Sequence, residues 1–277
     1  MDSSNNKVSI IMPCFNSEEY ISEAIASVQN QTYENWEIII VDDFSSDGSC
    51  ELVLDIQLKD DRIILLRNET NKGSGFSRNK AIDIATGKYI AFLDSDDIWT
   101  PNKLEVQIDI MNKLKLPFSH TSYGYISERG DTIGKTFRVS KKLVGYVDLL
   151  KRTEISCLTA IYNQDMIGKY YMSEHSRKQD YALWLSILKD GYKSYPIDLE
   201  LAYYRQRSDS STSNKWQLLF LHVNFLIETQ KFNLFKSIYY TFFWIKNGIV
   251  RYYINNIILN FKNKLFTKLV KAFNVEK

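Results

Sequence analysis

Asp94 and Asp96 stand two residues apart, directly after the apolar run 88–93. On extended backbone, side chains at that spacing point the same way, so both carboxylates can meet one hard cation. Oxygen-only ligation suits Mg²⁺ or Mn²⁺, ions held by one or two protein carboxylates together with substrate phosphates. The stretch Asp94-Ser95-Asp96-Asp97 also reads as a solvated turn, with Asp97 set against the N-terminus of a following helix. Asp42-Asp43 closes another apolar run and can accept hydrogen bonds from a base or a ribose. The residues Asp43-Phe44-Ser45-Ser46-Asp47-Gly48 read equally as a turn leading into a helix. In the loop 71–79, Gly73 and Gly75 permit close backbone approach, and Lys72 and Arg78 can meet a diphosphate. The loop is neither a Walker motif nor a dinucleotide fingerprint, since Arg78 occupies the third glycine position of the latter. Asp180 opens the helical stretch 181–188, either as a general base beside a hydroxyl or as an ordinary cap. Arg205, Arg207 and the hydroxyl-rich segment 208–213, which includes Ser210, can close over a diphosphate or form a solvated linker.

Other chemistries are not supported. His120, His175 and His222 lack the spacing of a zinc site, and no G-x-S-x-G motif is present. Cys14, Cys50 and Cys157 are odd in number and unpaired in spacing, which argues against a disulfide framework and for a reducing compartment. Cys14, beside Pro13, reads as a small buried thiol.

The elements that must position these residues alternate. Strand patterns at 8–12, 36–41, 63–66 and 88–93 are separated by helical patterns, which predicts right-handed βαβ units, an α/β class and a mainly parallel sheet. Asn16 or Ser17 is expected to cap the first helix, whose apolar face is Tyr20, Ile21, Ala24, Ile25 and Val28. Ligands in such sheets bind beyond the carboxyl ends of the strands, and both acidic clusters sit at that edge. Further on, a helix is expected from Pro101 to about residue 114, strands at 118–126, 155–162 and 197–205, and a turn at 128–131.

The 277 residues carry 35 Lys/Arg against 33 Asp/Glu, a formal net charge of +2. That mean hides an asymmetry: residues 215–277 hold ten basic and two acidic side chains, and residues 1–214 have a net charge of −6. The basic residues lie in an apolar, aromatic tail and the body is acidic, so nucleic acid is not an expected partner. No 18-residue uncharged apolar run occurs, so a spanning helix is not expected. Basic amphipathic helices rich in Trp, Tyr and Phe fit an anionic membrane surface, or else pack as a helical cap or oligomer contact. The N-terminal residues lack the basic start and apolar stretch of a signal peptide.

Four stretches occur in order: Val8-Ser9-Ile10-Ile11-Met12-Pro13-Cys14-Phe15-Asn16; Val41-Asp42-Asp43-Phe44-Ser45-Ser46-Asp47-Gly48; Asn71-Lys72-Gly73 with Ser77-Arg78-Asn79; and Phe92-Leu93-Asp94-Ser95-Asp96-Asp97. Together they resemble the N-terminal half of family 2 glycosyltransferases, which have the GT-A fold, with a further match at 179–184. The resemblance implies inverting transfer from a nucleotide sugar. It places Pro13, Phe15, Asn16, Asp42, Asp43, Lys72 and Arg78 about the nucleotide, with Asp94 and Ser95 facing it. It gives a Mn²⁺ or Mg²⁺ ion to Asp96 with Asp94, and the catalytic base to Asp180. Two positions depart from the family pattern: the usual acidic pair is Gln179-Asp180, and the aromatic after Pro13 is Phe15 rather than Tyr.

The Q-x-x-R-W motif of processive synthases is absent from the sequence, so single addition is expected. The tail, with Tyr203-Tyr204-Arg205, is similar to bacterial enzymes that build O-antigen or capsule units on a lipid-diphosphate carrier. The expected organisation is a nucleotide half at 1–115, an acceptor half at 116–214, and a tail at 215–277 on the inner face of the cytoplasmic membrane. The expected substrates are a UDP-hexose and a lipid-diphosphate-linked saccharide. One rival is a sugar nucleotidyltransferase, which would carry a Gly-rich, Arg-containing loop where this chain has Pro13-Cys14-Phe15-Asn16. The other is a non-catalytic membrane scaffold, which would bind no nucleotide.

Overall fold

The computed structural model describes residues 6–173, 178–207 and 215–250. The chain divides into two compact units, Met1–Leu149 with Glu154–Ser210, and Leu150–Thr153 with Ser211–Lys277. The halves expected on either side of residue 115 therefore share one unit.

In the first unit, β1 (Val8–Cys14), α1 (Ile21–Gln29), β2 (Trp36–Asp42), α2 (Ser49–Gln57), β3 (Ile63–Arg67), α3 (Ser74–Ile84) and β4 (Tyr89–Phe92) alternate along the chain. β5 (Ile98–Trp99), α4 (Lys103–Leu114), β6 (Phe118–Ile126), β7 (Thr132–Phe137), α5 (Tyr146–Lys151, its last two residues counted in the second unit), β8 (Ile161–Asn163), α6 (Gln164–Ile167), α7 (Gln179–Lys189) and β9 (Tyr195–Arg205) follow. Every residue of β1 and β2 is buried, as expected of mostly apolar, Ile-rich strands in the middle of a parallel sheet. The sheet runs β3-β2-β1-β4-β8-β6-β9-β5, with β7 paired to β6 at the side. β1 is parallel to both β2 and β4. The chain leaves β1 toward one side of the sheet and returns as β4 on the other, so a crevice opens beyond the carboxyl ends of β1 and β4.

Two local expectations are corrected. Neither Asn16 nor Ser17 caps α1 through its side chain: Asn16 lies in left-handed backbone (φ 46°), and the Ser17 Oγ turns to Phe15 O and to Ser95 Oγ. The strand expected at 155–162 begins instead as a 3-10 turn, Cys157–Thr159, because Thr159 N and Ala160 N donate to the carbonyls of Ser156 and Cys157; only β8 continues as strand.

Lys103 is fully buried on α4, its Nζ donating to Gln107 Oε1 at 2.6 Å and lying 4.7 Å from the Trp99 ring centre. Burial lowers its ammonium to about 7. An unfolded chain holds that proton up to about pH 10.4. Between about 7 and 10.4 the unfolded state therefore binds more protons, and stability rises with pH. Lys103→Met is expected to flatten this rise, read from thermal unfolding at pH 7 and pH 9. Identical pH slopes for the two proteins would contradict the assignment.

In the second unit, α8 (Lys215–Gln230) precedes a helix at 234–250, α9. Trp244 of α9 stacks on His222 of α8, with ring centres 4.4 Å apart.

Candidate active site

A cleft of about 260 Å³ opens at the β1/β4 crevice. The end of β1 contributes Pro13 and Cys14 and the turn after it Phe15 and Ser17; α3 contributes Ser74 and Arg78; the turn after β4 contributes Asp94, Ser95 and Asp96; Asp43 and Arg207 complete the wall. Phe15 is half exposed and offers a ring face at the rim. Ser17 and Ser74 were not singled out from sequence as ligand-facing groups. A serine gives no such signal until the chain is folded around it.

The two adjacent aspartates at the end of β2 have separate tasks. Asp42 is fully buried; its Oδ2 lies 3.1 Å from Arg67 Nε and accepts from Ser45 N at 3.2 Å. It does not line the cleft. Asp43 clamps the glycine loop: its Oδ1 accepts from Lys72 N at 2.9 Å and Asn68 Nδ2 at 2.8 Å, and its Oδ2 from Gly73 N at 2.7 Å. Gly73 has φ 87°, a conformation that glycine adopts without steric cost. Asn16 and Lys72 also fall outside the cleft wall. The Asn16 Oδ1 accepts from Ser46 N at 2.9 Å, bracing the β2–α2 turn, and the Lys72 ammonium lies 4.6 Å from the Phe76 ring centre.

Arg78 is buried on α3 and pairs with Asp94 at 2.5 Å. Burial opposes its charge, but Asp94, with Asp180 adding, more than offsets that and keeps the guanidinium a cation. Asp96 lies 3.7 Å from Arg207. Burial and the charge of Asp94 raise its carboxyl, against Arg207 and Arg205. Asp97 is buried and accepts from Arg205 N at 2.9 Å, so it fastens the acidic turn to β9.

Asp180 sits in the first turn of α7, partly buried and within electrostatic reach of the Arg78–Asp94 pair. Burial raises its carboxyl and Asp94 adds to the rise, while Arg78 and the Tyr181 N–H act in the opposite sense. Its helix is fixed by packing. Trp184, fully buried, meets Phe92 of β4 edge to face at 5.3 Å and Phe118 of β6 at 5.3 Å. At the helix start, Ser74 Oγ donates to Gln179 Oε1 at 3.3 Å, and a Cβ at Gly75 would come within 2.6 Å of the Gln179 side chain. Glycine at 75 is thus what lets α3 and α7 approach. Lys178, not singled out from sequence, precedes α7 in left-handed backbone (φ 55°), and burial lowers its ammonium to about 8 against the pull of Asp180.

The expectation that Arg205 closes over a diphosphate is corrected. Its side chain is buried, donating to Asp96 O at 2.7 Å, Glu128 O at 2.9 Å, Ser127 O at 3.3 Å and Glu23 Oε2 at 2.5 Å. Those acceptors use the guanidinium inside the fold. Ser210 lies outside the described residues.

No cluster of three or more His, Cys, Asp and Glu side chains that could hold a metal occurs among the described residues. Asp94 and Asp96 offer two carboxylates at one rim, a donor set that fits Mg²⁺ or Mn²⁺ shared with phosphate oxygens and water.

The doubly wound sheet carries acidic and cationic groups at its switch point, as a GT-A fold does. The chain belongs to glycosyl transferase family 2, whose pattern matches residues 9–242. It is 40% identical over 210 residues to the "Putative teichuronic acid biosynthesis glycosyltransferase TuaG" of Bacillus subtilis, covering 76% of this chain and 83% of that one. It is 42% identical over 213 residues to the "UDP-Glc:alpha-D-GlcNAc-diphosphoundecaprenol beta-1,3-glucosyltransferase WfgD" of Escherichia coli, covering 76% and 82%. The fold is shared with S. aureus TarS 1–349 in complex with UDP-GlcNAc, at a TM-score of 0.63 and 20% identity over 83% of this chain and 69% of that one.

Proposed function

We propose that this glycosyltransferase moves a hexose from a UDP-sugar to a hydroxyl of a lipid-diphosphate-linked saccharide, with inversion, in bacterial surface-polysaccharide synthesis. The observation that carries this reading is the convergence of Asp94, Asp96, Arg78 and Arg207 on one cleft, with Asp180 within electrostatic reach of Arg78 and Asp94. The relatives WfgD and TuaG support the substrate class.

In this reading Phe15 and Pro13 border the base, and Asp43 holds the loop before α3 in place. Asp96 with Asp94 would hold Mn²⁺ or Mg²⁺, which supplies charge neutralisation for the departing diphosphate. Arg207 adds a second cation at that rim. Asp180 takes the proton of the acceptor hydroxyl, whose oxygen attacks the anomeric carbon opposite the leaving UDP, so one bond forms as the other breaks.

The test is UDP release from a panel of nucleotide sugars, offered with synthetic lipid-diphosphate sugars, with and without Mn²⁺. A protein that neither binds nucleotide nor releases UDP with any pair would be the scaffold. Because burial raises the Asp180 carboxyl and the base must be ionised, turnover is expected to fall on acidification at a higher pH than an ordinary carboxylate would give. A kcat profile flat from pH 5 to pH 8 would count against that role.

A lipid-linked acceptor lies at a membrane surface. Among the described residues no helix is long and apolar enough to cross a membrane. α9 nevertheless exposes Phe235, Ile238, Tyr239, Phe242 and Ile249, a spacing that falls on one face, with Lys231, Lys236 and Lys246 nearby. We infer that this stripe lies in an anionic bilayer interface on the cytoplasmic side. Fully burying each phenylalanine side chain contributes about 1.5–3 kcal/mol. F235S/F242S is therefore expected to weaken sedimentation with phosphatidylglycerol vesicles by about tenfold or more, while transfer to a water-soluble acceptor persists. Undiminished sedimentation would move the membrane contact elsewhere.

A further inference from the structure

β6 and β9 run parallel, with Tyr125 and Tyr204 as register partners, so their side chains share a face of the sheet. Tyr123, two residues before Tyr125, shares it too: the two hydroxyls lie 3.5 Å apart. The Tyr123 ring stacks on Phe137 of β7 at 4.9 Å. Tyr125 meets Tyr204 edge to face, with ring centres 6.0 Å apart. Tyr123 is buried and Tyr125 partly so, whereas Tyr204 remains 38% exposed. The cluster thus ends in an accessible ring.

The end of β9 that carries it borders the acidic turn. The peptide N–H that follows Tyr204 donates to Asp97 Oδ1 at 2.9 Å, and the next side chain, Arg205, binds Asp96 O at 2.7 Å. Electrostatics agree: burial and the charges of Asp97, Asp96 and Asp94 push the Tyr204 phenol up to about 12. It remains a neutral donor at working pH.

We propose that Tyr204, backed by Tyr125, is an aromatic platform that receives a sugar ring of the acceptor saccharide beside the acidic turn. This rests on the transferase reading above and deepens it. A pyranose carries an apolar face of C–H groups and a rim of hydroxyls. The C–H face suits the electron-rich face of a tyrosine ring, and the rim suits the tyrosine hydroxyls, which both donate and accept. The exposed aromatic of the nucleotide cleft, Phe15, follows β1, whereas this platform stands on β6 and β9 and lies outside the cleft lining, so donor and acceptor would have separate surfaces.

The experiment is calorimetric titration of the full chain, first with UDP and Mn²⁺, then, UDP-saturated, with hexyl-diphosphate-linked N-acetylglucosamine. Tyr204→Ala and Tyr204→Leu are expected to weaken saccharide binding by about tenfold and to leave UDP binding within about twofold. Tyr204→Phe keeps the ring and is expected to stay within about threefold of wild type. The leucine variant guards against misfolding, since it keeps apolar volume without a π face. Saccharide binding unchanged in both ring-deleted variants overturns the platform while the transferase reading stands. So does a parallel loss of UDP binding, which would make the ring a prop for the acidic turn. Wild-type protein that binds no UDP sinks the transferase reading and the platform with it.

Discussion

Asp180→Asn is expected to lower kcat by about 10²–10⁴-fold, the range over which a positioned general base contributes, while UDP binding stays within about twofold. The substitution keeps the side chain's shape and removes its ability to take a proton. Folding should not suffer, because Asp180 carries a charge that its partly buried setting disfavours, and because α7 is held by Trp184 rather than by Asp180. UDP affinity should not suffer, since Asp180 does not line the cleft about Asp94 and Asp96. Single-turnover transfer and UDP calorimetry on one preparation decide the matter. Wild-type transfer in the variant would place the base elsewhere, and a matching collapse of UDP binding would make Asp180 a nucleotide ligand.

Asp96→Ala is expected to remove the stimulation of transfer by Mn²⁺ or Mg²⁺ and to depress turnover by about 10³-fold, several kcal/mol of lost charge stabilisation. Burial and Asp94 already raise the Asp96 carboxyl, so its charge is poorly tolerated without a cation and well placed to take one. Asp97→Ala is not a substitute for this test, because Asp97 secures Arg205 N and its loss would loosen the turn itself. Chelation of wild-type protein should reproduce the Asp96→Ala rate. Full metal-stimulated turnover in the variant would refute the metal role.

Much of this was readable before folding, and for identifiable reasons. β1, β2 and β4 are buried on both faces, so hydrophobic demand left mostly apolar runs that no surface element would carry. Their acidic ends marked the functional edge because chain direction, not side-chain detail, places a residue there. What stayed hidden depends on direction in space. Arg205 and Arg207 are two apart after the same strand, yet one is buried on carbonyls and the other lines the cleft. Asp42 and Asp43 are neighbours, and only the strand's alternation decides which of them reaches the loop at Gly73. The parallel pairing of β6 with β9 carries register shifts at Ser122, which no local pattern encodes, so the tyrosine cluster forms only once the two strands are paired. The pairing of β4 with β8 and of β5 with β9, which joins the two sides of residue 115 in one sheet, has the same origin.

Arg205 touches the acidic turn, the β6–β7 connection through Ser127 and Glu128, and α1 through Glu23. One side chain therefore rivets three stretches of backbone, among them the acidic turn of the cleft, without itself lining the cleft. In a mutational scan scored by turnover alone, substitutions there would masquerade as lost chemistry. Paired with melting temperatures, the same scan would sort Arg205 with the masonry and Asp180 with the machinery.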